Sequence, residues 1–229
     1  MKRLVVLTGA GVSEESGIAT FRGSNGLWEN HRIEDVASPA GWNKNPALVL
    51  EFYNQRRKQI LAAQPNQAHS ALARLEERFE VQIITQNIDD LHERAGSTRV
   101  LHLHGEIKKA RSTADENLIL SLTGERLDIG DLCPKGAQLR PHIVWFGEAV
   151  PMIETAIEIT RTADIFLVAG TGLQVYPAAS LIDFIPDSCQ RYLIDPNDVF
   201  IPRHYRFRRI VEKAGKGMEI FSKEILENN

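Results

Sequence analysis

Cysteine is scarce in this chain: its 229 residues include two, Cys133 and Cys189. That excludes a disulfide framework as the source of stability, and a reducing compartment fits. No Cys-x-x-Cys pair occurs, so a four-thiolate metal site cannot be assembled from the chain. Charge of one sign is also lacking. Thirty acidic residues against 27 basic give a formal net charge of −3, with no basic excess to attract nucleic acid or a membrane surface. Long apolar runs are absent. Ile165–Ala169 is far too short to span a bilayer. Leu4–Leu7 follows Lys2 and Arg3 but stops at Thr8-Gly9, short of a signal-peptide core. The expectation is a cytoplasmic protein, taken as a monomer, with no nucleic-acid or membrane partner.

What remains is an ordinary globular composition, 43% hydrophobic and 25% charged, at a length suited to one sizeable domain with a small inserted module. Leu4–Leu7, Val81–Thr85, Asp164–Ala169 and Arg191–Ile194 read as buried strands. Val100–His104 and Ile143–Phe146 read as shorter ones. The spacing of Leu48, Phe52 and Ile60 predicts a helix over 45–63, and Ala68, Leu72 and Leu75 predict another over 66–79. Further helices are expected from about Ser13 and over Glu154–Arg161. Strands alternating with helices imply an α/β fold, a Rossmann-like doubly wound parallel sheet. The polar segment 108–139 reads as the insertion, with Ile107, Leu118, Leu120, Leu122, Leu127 and Leu132 as its candidate core.

Gly9-Ala10-Gly11 after a first strand marks either a plain tight turn or a diphosphate-binding turn. Glu14 stands where the ordinary dinucleotide fingerprint has its third glycine, which disfavours a dehydrogenase. The longer string from Gly9 to Gly23, including Ser13, Phe21 and Arg22, resembles the signature of the sirtuin family. So do Thr85-Gln86-Asn87-Ile88-Asp89-Asp90-Leu91-His92, His104-Gly105, Arg140–Glu148 and Gly170–Ala178, in family order from residue 8 to about 195.

The resemblance implies a single catalytic domain, 1–229. Its larger part would cover about 1–22, 64–105 and 140–229, and a smaller module would arise from insertions of about 23–63 and 106–139. It implies NAD as cofactor and acyl-lysine proteins as substrates, giving nicotinamide and O-acyl-ADP-ribose. It assigns His104 as general base and Asn87 as orienting the reacting ribose. Cofactor contacts fall on Gly9, Ala10, Gly11, Ser13, Phe21, Arg22, Gln86, Asp89, Gly170, Thr171, Gly172, Asp195 and Ala214, with a mobile loop over roughly 23–35. Gly172 stands where the family usually has Ser, and Asp195 where it usually has Asn. Val144, Phe146, Gly147 and Glu148 would offer a strand edge to the substrate peptide.

Tyr53 and Arg56 are spaced i, i+3 and share a helix face. A guanidinium fork and a phenol hydroxyl suit a carboxylate. The phrase Phe-Tyr-x-x-Arg-Arg resembles the sirtuin class that removes succinyl and malonyl groups. The family's structural zinc is not expected here. His102 and His104, an i, i+2 pair, are the weaker metal-ligand option, and Cys189 reads as a small buried apolar residue. Mono-ADP-ribosyl transfer and an NAD-binding sensor with an impaired site stand as alternatives.

Overall fold

A computed structural model describes residues 1–19, 27–28 and 31–227. In chain order it begins with β1 (Arg3–Thr8), the short strands β2 (Leu27–Trp28) and β3 (His31–Arg32), and helices α1 (Ile33–Val36), α2 (Pro39–Lys44), α3 (Pro46–Ala62) and α4 (Gln67–Leu75). There follow β4 (Glu80–Thr85), α5 (Leu91–Arg94), β5 (Val100–His102), β6 (Gly105–Ser112), β7 (Ile119–Ser121) and β8 (Leu139–Ile143). The chain continues with α6 (Ile153–Thr160), β9 (Ile165–Ala169), β10 (Gln190–Ile194), β11 (Arg208–Ile210) and α7 (Ala214–Glu227). None of the described helices is long and apolar enough to cross a membrane.

Two compact units result. The first comprises 1–20, 64–103 and 150–229, the second 21–63 and 104–149. Residues 140–149, assigned from sequence to the larger part, belong to the second unit. The reason is local: β8 pairs with β6, the strand after His104.

The first unit is a parallel six-stranded sheet in the order β11-β10-β9-β1-β4-β5. Counted among themselves in chain order, these strands run 3-2-1-4-5-6, the doubly wound dinucleotide-binding arrangement. Side chains alternate across it. Leu4, Val6, Ile165 and Leu167 enter one apolar cluster together with residues of α4 and α7. Val5, Leu7, Phe166 and Val168 enter a second, with residues of α6. Both faces are covered, which is why these strands read as unbroken apolar runs. One expectation fails here. No α-helix starts near Ser13; two single 3-10 turns, Ala10–Val12 and Glu14–Ser16, stand there instead. Asn66 holds them, its Nδ2 donating to the Val12 carbonyl (2.8 Å) and to Ser16 Oγ (3.0 Å).

The second unit is built on the three-stranded antiparallel order β7-β6-β8, with β2 and β3 paired separately. Leu50, Ala110, Leu127, Cys133 and Leu139 form its apolar cluster, with Leu118, Leu120 and Leu122 packed against it. Leu132, expected in that core, is 55% exposed. It lies in a turn region where its neighbour Cys133 takes the inward position.

Asn66 also caps α4: its side chain accepts from Ala68 N–H (2.9 Å), and its own N–H donates to His69 Nδ1 (3.2 Å). His69 packs on His92, ring centroids 4.8 Å apart, and His92 Nε2 meets Thr8 Oγ1 at 3.1 Å. Burial pushes His69 down to about 4 and His92 well below the usual imidazole value. Both rings are neutral in the fold, so below pH 6.5 the unfolded chain binds more protons than the folded one. Stability therefore falls as pH drops. From pH 7.5 to 5 His69 alone should cost about 2 kcal/mol, and calorimetric melting across that range checks it. A melting temperature that holds level down to pH 5 contradicts the buried neutral pair.

Candidate functional site

Four parallel strands of the first unit end at the residues that the motifs single out. β1 runs into Gly9, β4 into Gln86 and Asn87, β9 into Gly170 and Thr171, and β10 into Asp195. In open α/β sheets, ligands bind outside these carboxyl ends, where the strand order reverses. Here the reversal lies between β1 and β9, and their end loops touch. Gly9 N–H donates to the Ala169 carbonyl (3.0 Å) and Gly11 N–H to the Gly170 carbonyl (2.9 Å). Gly170 has φ +63, and a Cβ on it would stand 2.4 Å from Val12 N. No side chain fits there. Ala10 is the first residue of the 3-10 turn, the position whose N–H has no acceptor within the turn.

Next to the glycine turn is a closed polar chain. Asn87 Nδ2 donates to the Gly9 carbonyl (3.1 Å) and to Ser13 Oγ (3.1 Å). Ser13 Oγ donates to Asp89 Oδ2 (3.0 Å), and Asp89 Oδ1 accepts from Leu91 N–H (3.2 Å). Asp89 thus closes an Asx turn onto Leu91 while accepting from Ser13. Burial raises its carboxyl above the usual range; the Leu91 and Ser13 bonds act against that. Gln86 Nε2 donates to Thr171 Oγ1 at 3.1 Å. Asp195 Oδ1 accepts from the Asn197 backbone N–H (2.9 Å) and Nδ2 (3.1 Å), an Asx turn that leaves the second oxygen to other donors. Gly172 lies in the loop after β9. Ala214 opens α7 with its side chain in the core, so it can meet a ligand through its backbone only. Phe21 and Arg22 lie outside the described residues, as does part of the 23–35 loop.

His102 is a supporting residue that the motif reading passed over. Its Nδ1 lies 3.1 Å from the Asn87 carbonyl, which can only accept, and its Nε2 lies 2.7 Å from Glu93 Oε1. Both ring nitrogens of His102 are thereby engaged within the fold.

The second unit carries His104, Tyr53, Arg56 and residues 143–148. The His104 carbonyl accepts from Val144 N–H (2.9 Å). Gly105 follows with φ +83, and a Cβ there would come within 2.0 Å of the His142 carbonyl. Only glycine fits after His104.

Tyr53 and Arg56 are 1% and 5% exposed, so both polar groups are withdrawn from bulk water. Burial raises the Tyr53 hydroxyl above the usual phenol value, against the opposing pull of a Trp145 hydrogen bond and of the Arg140 and Arg56 charges. It is a neutral donor at any working pH.

Residues 143–148 differ from the free strand edge expected. β8 ends at Ile143. Val144, Trp145 and Phe146 donate their N–H groups internally, to the His104 carbonyl, Glu148 Oε2 (2.8 Å) and the Ala37 carbonyl (3.0 Å). The Trp145 carbonyl accepts from Glu148 N–H (3.0 Å), closing a turn through Gly147. A peptide pairing here must use the remaining carbonyls and Gly147. Phe146 is exposed and Val144 half-buried. Glu148 is an internal organiser: its carboxylate also takes Arg140 Nη1 (2.6 Å) and Arg111 Nη2 (2.9 Å).

Cys133 Sγ donates to Ser112 Oγ at 3.2 Å. One thiol and one hydroxyl do not fit a structural zinc ion, and among the described residues no three His, Cys, Asp or Glu side chains gather as a metal site. Polar bonds from α3 tie down the same segment. Asn54 Oδ1 accepts from Leu127 N–H (2.9 Å) and its Nδ2 donates to the Leu127 carbonyl (3.1 Å). The buried Arg57 donates through Nε to the Ile107 carbonyl (3.0 Å) and through Nη1 to Asn54 Oδ1 (2.8 Å). Burial lowers its guanidinium to about 10, still charged at neutral pH. The pair was visible in the motif but had no assigned role, because a helical Arg is ordinarily solvated.

The Sir2 family profile matches residues 9–177. An NAD-dependent protein deacylase of Helicobacter pylori (strain ATCC 700392 / 26695) is 51% identical over 229 residues, covering 99% of each chain. One from Bacteroides thetaiotaomicron is 50% identical over 224 residues, 96% of each. Among solved structures, a Sir2 homolog–NAD complex superposes with TM-score 0.87 at 40% identity, covering 99% of this chain and 90% of the other. A Sir2 complex with an inhibitor, 2′-O-acetyl-ADP-ribose and a deacetylated p53 peptide gives TM-score 0.77 at 29% identity, covering 98% and 93%.

The Asn54–Arg57 clamp makes a stability prediction of its own. Arg57→Met and Asn54→Leu each strand buried backbone groups and should lower unfolding free energy by roughly 3 kcal/mol in denaturant titrations. Losses under about 0.5 kcal/mol would place the module's stability elsewhere.

Proposed function

The chain belongs to the Sir2 family, and from that premise we propose an NAD-dependent protein-lysine deacylase whose pocket takes succinyl and malonyl groups as well as acetyl. The deacylase activity follows from relatives about half identical over nearly the whole chain. The acyl preference rests on one observation: Tyr53 and Arg56, a neutral hydroxyl donor and a guanidinium, are both buried on one stretch of α3. A carboxylate at the end of an acyl chain can meet a guanidinium in bidentate geometry and take a further hydrogen bond from a phenol hydroxyl. An acetyl group is short enough to fit and gains nothing from the pair.

The residues at the four strand ends fit NAD. The glycine contact brings backbone N–H groups to a sheet reversal, where a diphosphate is bound without side-chain obstruction. The free oxygen of Asp195 suits ribose hydroxyls, and the Ser13–Asp89 pair suits a carboxamide. When bound, NAD supplies the acceptor of the acyl group and nicotinamide as the leaving group. Asn87, tied to Gly9, Ser13 and His102, orients the ribose that reacts. His104 removes a proton from a ribose hydroxyl, a task matched to imidazole near neutral pH. Residues 143–147 align the substrate backbone, and Arg56 with Tyr53 anchors the far end of an acidic acyl chain. Loose sequence selection among acyl-lysine proteins follows from main-chain pairing.

Pure protein incubated with NAD and matched acetyl-, succinyl- and malonyl-lysine peptides, with products read by mass, tests the reading. Acidic acyl groups should leave as acyl-ADP-ribose with nicotinamide release. Arg56→Met and Tyr53→Phe should each cut desuccinylation by at least tenfold while deacetylation falls much less. His104→Ala should stop turnover with the fold intact. Acetyl removal alone would leave a deacylase without the acidic pocket, and ADP-ribosylated protein as the main product would favour the transferase alternative. Stoichiometric zinc found by atomic emission would overturn the expectation of a zinc-free module.

A further inference from the structure

Resting on the acidic-acyl reading above, we infer that Trp145 is a specificity-determining positioning residue, whose indole N–H orients the Tyr53 hydroxyl for the distal carboxylate of the acyl group. The Trp145 Nε1 to Tyr53 Oη distance is 3.1 Å, with both rings buried. Indole N–H is a donor only, so the phenol oxygen is the acceptor in this bond. One lone pair of Tyr53 is thereby committed, and the hydroxyl proton is turned away from the indole. The rings lie 6.5 Å apart at 29°, which holds the phenol plane as well. A phenol hydroxyl rotates about its C–O bond, and a donor locked on its oxygen selects the rotamer that donates elsewhere.

The donor itself is held and strengthened. The Arg140 guanidinium carbon sits 3.2 Å from the Trp145 ring centroid. A cation over the face withdraws electron density from the indole and sharpens its N–H as a donor. Glu148 fixes that cation, accepting from Arg140 Nη1 (2.6 Å) and Nη2 (3.1 Å), and holds the Trp145 backbone N–H at 2.8 Å. Arg140 Nη2 also reaches the Ile143 carbonyl (3.0 Å). Trp42 also packs on the indole, centroids 5.7 Å apart at 37°. The outcome is a relay from Glu148 through Arg140 and Trp145 to Tyr53. In it Trp145 touches no acyl atom and acts through Tyr53 alone.

The effect falls on acyl groups that use the Tyr53 proton. Acetyl does not reach for it; succinyl and malonyl do. The quantity to read is the ratio of desuccinylation to deacetylation kcat/KM, which cancels any general loss of activity.

In Trp145→Phe this ratio should fall about tenfold, mainly through a higher KM for the succinyl peptide. In a Tyr53→Phe background the same substitution should change it less than twofold, because its target oxygen is gone. If Trp145→Phe fails to fold by circular dichroism, the benzothiophene isostere of tryptophan placed at 145 removes the N–H at constant shape and makes the same measurement. An unchanged ratio in either variant overturns the inference while leaving the acidic pocket standing. An equal fall with and without the Tyr53 hydroxyl also overturns it, since Trp145 would then act by packing. A wild-type protein that removes neither acidic acyl group overturns the pocket reading and this inference with it.

Discussion

The contact of two backbones, Gly11 against Gly170, is the constraint around which the first unit is arranged. Bringing the ends of β1 and β9 within hydrogen-bonding distance requires glycine, because a Cβ on Gly170 would overlap the backbone of Gly11 and Val12. Once the loops meet, the Gly9 carbonyl is presented to Asn87, Asn87 to Ser13, and Ser13 to Asp89. Each group in that chain is buried and each is satisfied by the next, the condition under which a buried polar network is stable. Asn66 from α4 and Glu15 on the α7 N-terminus, bonded to Gly215 N–H at 2.7 Å, hold the same turn from outside.

The second unit solves a different problem, that of keeping cations out of water. Arg57 answers it with backbone carbonyls and Asn54; Arg140 answers it with Glu148 and the face of Trp145. The answers have separate consequences. The first staples the inserted segment to α3 through hydrogen bonds. The second fixes the residues leading from β8 into the Gly147 turn. Tyr53 and Arg56 alternate along α3 with Asn54 and Arg57, so one helix carries both the proposed acyl-anchoring pair and the clamp.

Much of this was legible in the amino-acid order. Strands buried on both faces announce themselves as Leu4–Leu7 and Ile165–Ala169. The 45–63 and 66–79 helices follow from apolar spacing, and the motif string located the strand ends. The misses have physical reasons. A helix was expected from about Ser13 because such turns usually lead into one, but the chain forms 3-10 turns there, bonded to Asn66. The C-terminal helix α7, which carries Gly215 and Gly217 in its first turn, is absent from the elements expected from sequence. Gly217 is there because Ile194 passes so close that a Cβ would meet its Cγ2 at 2.3 Å. Glu148 read as a substrate contact, since nothing local shows that two arginines and a backbone N–H claim its carboxylate.

By itself the sequence determined the fold class, a doubly wound parallel sheet, the family and the residue types available for chemistry. These depend on short-range patterns, namely periodicity, turn chemistry and motif spacing, which survive in a linear string. Only the tertiary structure decided which polar groups are spent on one another. Trp145 and Tyr53 stand 92 positions apart, and Arg57 and Ile107 stand 50 apart. A hydrogen bond is satisfied by whatever lies within about 3 Å, and no local pattern records what folding brings that near.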